Sequence, residues 1–62
     1  MTQEEYYRAV RRLGLKPTGV LTVWVNSTGE FFNVPDCTNY TLEQRAETIE
    51  MLKRTLGIDS AP

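Results

Sequence analysis

A chain of 62 residues, with 40% apolar side chains and a formal charge of −1, reads as one small globular domain near the lower limit of independent folding. One cysteine and no histidine leave no intramolecular disulfide and no ordinary ligand set for a structural zinc ion. Seven basic against eight acidic residues give no drive toward nucleic acid or membrane surfaces, and no apolar run is long enough for a membrane span or placed as a secretory leader. The expectation from these features is a cytoplasmic protein of bacterial or phage origin, without cofactor or metal.

Thr2-Gln3-Glu4-Glu5 has the form of a capping box, Thr2 as N-cap and Glu5 reaching back. Tyr6, Ala9, Val10 and Leu13 then share one side of a helical wheel, with Tyr7 at its margin and Arg8, Arg11 and Arg12 opposite. Gly14 suits a left-handed residue just past the helix, and Pro17 stops continuation, so a helix is predicted over residues 3–13.

Gly19 to Pro35 reads as a β-hairpin, two β-branched and aromatic runs joined by Asn26-Ser27-Thr28-Gly29. A type I turn with glycine in the left-handed region pairs Asn26 with Glu30, Val25 with Phe31 and Trp24 with Phe32. Alternation puts Leu21, Val23, Val25 and Phe31 on one face, and Val20, Thr22, Trp24, Phe32 and Val34 on the other. Both faces are apolar, yet two helices on one side cover only one. The aliphatic face is expected inward; the alternative is that Trp24 and Phe32 form the core.

Pro35 ends the second strand, and Asp36 to Tyr40 form a loop. Thr41-Leu42-Glu43-Gln44 is a second capping box, after which Leu42, Ala46, Ile49, Leu52 and Leu56 recur at helical spacing. Glu43, Glu47, Glu50 and Arg54 lie beside that stripe, Glu50 four residues before Arg54 as a favourable pair. Gly57 and Ile58 suit a Schellman end, and residues 59–62 are expected to fray. The fold expected is thus α+β: a single small α-β-β-α domain over residues 1–58, its two helices packed on one face of an antiparallel β-hairpin.

Catalysis finds little support. No histidine is available as a near-neutral base, no glycine-rich loop cradles phosphate, and Cys37 reads as a loop or core-boundary residue rather than a nucleophile. The acidic residues of the second helix read as a solvated face, and no small-molecule substrate is evident. Arg8, Arg11, Arg12 and Lys16 form a basic patch able to hold phosphates, with Trp24 or Phe32 available to stack bases if exposed. Against a nucleic-acid partner stand the net negative charge and the fact that charged outer faces are ordinary on amphipathic helices.

A protein partner, or self-association as a homodimer, is the stronger expectation. A two-stranded sheet has two edges that accept another strand, and with the aliphatic face inward Trp24, Phe32 and Val34 remain outside as a contact patch. Met51 stands away from the apolar stripe among Gln44, Thr48 and Thr55, and joins those residues as a candidate contact. The capped first helix (Thr2 to Glu5), the Asn26-to-Gly29 turn and the capped helix from Thr41 to Leu56 together resemble the small head-to-tail connector protein W of lambdoid phages. That resemblance implies a phage-type structural or connector role, although this chain lacks the strongly basic tail expected of the family.

Overall fold

The computed structural model describes residues 1–57. Two helices, α1 (Gln3–Arg12) and α2 (Leu42–Leu56), enclose three short strands, β1 (Lys16–Pro17), β2 (Val23–Val25) and β3 (Phe31–Asn33). The strands form one antiparallel sheet in the order β1-β2-β3. The fold class is α+β as expected, but the sheet has three strands rather than two. Ile58 and the tail at 59–62 lie outside the described residues.

Both helices start where their capping boxes place them. Thr2 accepts from the Glu5 amide while Glu5 accepts from the Thr2 amide, and Thr41 and Gln44 repeat the reciprocal pair. These bonds satisfy two of the amide donors that a helix start leaves without partners. At the other end of α1, Gly14 takes φ 91°, and at the end of α2 Gly57 takes φ 71°, conformations that L side chains rarely adopt.

The hairpin has the expected register, Val25 opposite Phe31 and Trp24 opposite Phe32. Its turn is held from inside by Asn26, whose side-chain oxygen accepts from the amides of Thr28 and Glu30. The first strand of the hairpin is shorter than expected, however. Residues 18–22 turn instead of extending: the Thr18 hydroxyl donates to the Val23 carbonyl and accepts from the Val20 amide, and Gly19 sits at φ 96°. That reversal returns Lys16 and Pro17 alongside β2, pairing Lys16 with Val25 and Pro17 with Trp24. Pro17 biases Lys16 toward extended backbone, which is the conformation a strand needs.

The core gathers Tyr6 and Val10 of α1, Leu15, Trp24, Val34, Cys37, and Ile49 and Leu52 of α2. Trp24 is only 4% exposed, and Tyr7 stacks on it with ring planes 5° apart and centroids at 6.0 Å. The sheet face expected outside is therefore the buried one, and Phe31 on the opposite face is 69% exposed. The reason is size. The face with Trp24 and Phe32 carries two aromatic side chains against Phe31 alone on the other, and each removes about 150–250 Å² from water when buried, so the face carrying Trp24 gains most by packing.

Along α2 the buried line also differs from the expected stripe. Ile49 and Leu52 are buried and Leu56 half-buried, whereas Leu42 and Ala46 are exposed. Arg45 turns inward in their place. Its guanidinium donates to the backbone carbonyls of Cys37 (3.0 Å) and Met1 (3.3 Å), tying the 36–40 loop and the N-terminus to α2. The Glu50 carboxylate pairs with Lys53 at 2.9 Å, three residues on, rather than with the expected Arg54 alone. That partner lowers its pKa, with Arg54 adding to the effect.

Tyr6 shows how the core admits a polar atom. Its ring is fully buried and its hydroxyl donates to the Pro35 carbonyl at 2.9 Å, which secures the end of β3 to α1. Burial pushes the phenol pKa well above its ordinary value of 10, because the phenolate would lose hydration.

Two measurements check this packing. In urea denaturation followed by far-UV circular dichroism, Trp24→Ala should cost about 3–5 kcal/mol, enough to unfold so small a domain, while Phe31→Ala should change stability by under about 0.5 kcal/mol. A reversed ranking would mean that the other sheet face is the core. Raising the pH should leave stability level up to about 10 and then reduce it, since above that value the unfolded chain releases the Tyr6 proton while the folded chain retains it. Tyr6→Phe, weaker at neutral pH by about 1 kcal/mol through the lost hydrogen bond, should show a shallower alkaline loss.

Candidate protein-interaction edge

The sheet has two edges of different character. β1 is two residues long, one of them the charged Lys16 and the other Pro17, which has no backbone N–H to offer. Short strands, lysine and proline all discourage pairing, so this edge is blunted. At the other edge lies β3, with no further strand beside it among the described residues.

The alternation of hydrogen bonds shows which groups of β3 face outward. The Asn26 amide donates to the Glu30 carbonyl and the Val34 amide to the Thr22 carbonyl. Pairs 26/30 and 22/34 are thus hydrogen-bonded ones, and so is the intervening Trp24/Phe32 pair. Phe31 and Asn33 fall between them and direct their backbone N–H and C=O groups away from β2. Their side chains point to the outer, uncovered face of the sheet, and both residues are exposed.

Against this edge runs a groove of about 280 Å³ lined by Phe32, Asn33 and Pro35 on one side and Thr48, Met51, Leu52 and Thr55 of α2 on the other. The wall from α2 carries no charge. The Thr48 and Thr55 hydroxyls each donate to a carbonyl four residues back, which leaves their methyl groups for contact. Met51 is 62% exposed, an unbranched thioether able to reshape itself around an incoming side chain.

The structure divides the four residues expected to form a contact patch. Phe32 and Met51 line the same groove. Trp24 and Val34 lie behind them in the core at 4% and 1% exposure, so neither offers a surface to a partner. Sequence reasoning placed Phe31 on the inner face and passed over Asn33. The usable signal was the Lys16-Pro17 dipeptide, a pair of residues suited to a sheet edge on the opposite side.

The basic residues also separate. Arg11 and Lys16 line a shallow depression with Gly14, Leu15 and Pro17, and Arg11 and Arg8 line its neighbour with Tyr7 and Glu4. Arg12 faces the other way, toward Glu50 and Lys53 across the junction with α2. Three of the four cations therefore form a strip, but a carboxylate shares it. Of the two aromatics expected to stack bases, Trp24 is buried beneath Tyr7, and Phe32 is half-buried beside the groove at α2.

Cys37 is fully buried, a small apolar member of the core, and Asp36 beside it accepts from the Thr38 hydroxyl (2.7 Å) and amide, bonds that lower its carboxyl pKa. Among the described residues no three histidine, cysteine or acidic side chains cluster as metal ligands, and no helix is long and apolar enough to cross a membrane. Compared with protein-family models, curated proteins and solved structures, the chain matches none.

A labelled single-stranded oligonucleotide titrated with the protein at low salt should show no rise in anisotropy. Binding that falls steeply with added salt and disappears in Arg11→Glu would instead make the α1 strip a phosphate-binding surface.

Proposed function

We propose that this chain is a small non-enzymatic protein-binding module of the cytoplasm, which takes an extended segment of its partner as an additional strand on β3. The observation that carries the reading is the asymmetry of the sheet. One edge is closed by Lys16 and Pro17; the other presents the N–H and C=O groups of Phe31 and Asn33 beside an uncharged groove. In strand addition, main-chain hydrogen bonds supply affinity and a pocket for alternate side chains supplies selectivity. Here Met51, Leu52 and Phe32 form such a pocket for one apolar side chain. A buried lone thiol suits a reducing compartment.

The open edge is also better supported than the basic strip of α1, which shares its surface with Glu4 and belongs to a protein of net charge −1. A connector role of the phage type is a special case of the same reading, since such proteins act by joining others.

Selection of displayed random peptides on immobilised protein at micromolar density tests the proposal. Enriched peptides should be extended and carry an apolar residue, and in nuclear magnetic resonance they should shift the amides of Phe31 and Asn33 and the Met51 methyl group. Asn33→Pro, which removes an outward N–H without touching the β2 ladder, should abolish their binding. Peptides that instead shift α1 around Arg8 and Arg11 would overturn the assignment.

A further inference from the structure

We infer that the occupant of the β3 edge is a second copy of this chain, giving a two-fold dimer whose two sheets join into one. This rests on the strand-addition reading and names its partner.

The geometry of β3 is self-complementary. Only Phe31 and Asn33 direct backbone groups outward, and they flank Phe32. An antiparallel copy centred on Phe32 sets Phe31 of each chain opposite Asn33 of the other. Both outward residues then form hydrogen-bonded pairs, each exchanging two bonds, about four in all. No outward donor or acceptor of β3 is left over. A second copy in any other antiparallel register leaves part of this short edge unmatched.

The same axis brings α2 to α2. When two copies continue one sheet edge to edge, the dyad stands perpendicular to the sheet, so equivalent helices lie on the same side and run antiparallel. The groove puts Met51 level with Phe32 and Asn33, next to that axis. The two uncharged strips, Thr48, Met51 and Thr55, therefore face each other, and each exposed Met51 side chain lies over the other copy's groove.

Charge permits the approach. Glu47, Glu50 and Arg54 line the flank of α2 beside Met51; Glu50 is paired with Lys53 of its own chain, and an antiparallel pairing about Met51 sets Glu47 toward the other copy's Arg54. Had the flank been uniformly acidic, like charges would have opposed each other across the dyad.

The blunted β1 edge sets the size of the assembly. An open edge on both sides would propagate pairing into a fibre, whereas one open and one closed edge ends it at two. For a chain whose core is limited by its length, pairing also supplies buried surface that the monomer lacks.

Light scattering on the 62-residue chain from micromolar to near-millimolar concentration tests this. The wild type should pass from monomer to dimer and no further. Met51→Glu, which sets two carboxylates together at the dyad, and Asn33→Pro should each weaken the dimer at least about tenfold while circular dichroism stays unchanged. Should Asn33→Pro fail to fold, Met51→Glu and the slowed hydrogen exchange of the Phe31 and Asn33 amides in the wild-type dimer carry the decision. A wild type that stays monomeric throughout overturns the second copy as occupant, and peptides that still shift the β3 amides would then leave strand addition standing. A dimer indifferent to both variants overturns the proposed interface, and peptides that also fail to reach β3 would remove strand addition with it.

Discussion

The stack of Tyr7 on Trp24 is the contact on which the rest of this structure depends. It fastens α1 to the middle strand of the sheet and holds the Trp24 face of the hairpin toward the interior. With Trp24 turned inward, its neighbours in register follow: Phe32 opposite and Val34 two residues on point the same way, because side chains alternate along a strand. Phe31 and Val25 are then carried to the other side. A single aromatic pair thus orients every side chain of the hairpin.

That orientation moves the interaction surface from a face to an edge. With the aromatic face buried, what remains for a partner is the backbone of β3 and the groove between β3 and α2. Binding through an edge has different physics from burying an aromatic patch. Main-chain hydrogen bonds fix direction and register, and a small apolar pocket selects among strands. The neutral wall of α2 and the closed β1 edge are consistent with one such contact on one side of the sheet.

Local signals in the chain were readable for physical reasons. Capping boxes, the Asn26-to-Gly29 turn and the apolar repeat of α1 depend on residues within a few positions of one another, so their chemistry decides the outcome. The β1 pairing, by contrast, hinges on Thr18 bonding across to the Val23 carbonyl while Gly19 reverses the chain. Nothing in the alternation of Val20, Leu21 and Thr22 announces a turn, and β propensity alone favours extending the strand. The α2 stripe failed in a related way. Leu42 and Ala46 have apolar side chains at the right spacing, but the carbonyls of Met1 and Cys37 lie on the line through Arg45, and satisfying them turned the arginine inward.

Of the candidate site, the sequence supplied the residue types without their grouping. Met51 stood out as a thioether among uncharged neighbours and Phe32 as an aromatic on a strand, and these two do share a groove. Trp24 and Val34 were indistinguishable from them by pattern, because a hairpin apolar on both faces carries no instruction about which face is covered. By itself, then, the sequence determined the helices, their caps, the hairpin register and the α+β class, all set by interactions between residues close along the chain. The tertiary structure alone decided which sheet face is buried, that a third strand closes one edge and leaves the other open, and which of the exposed residues meet. Those outcomes depend on how much surface each arrangement removes from water once distant segments pack together, a quantity that no local pattern contains.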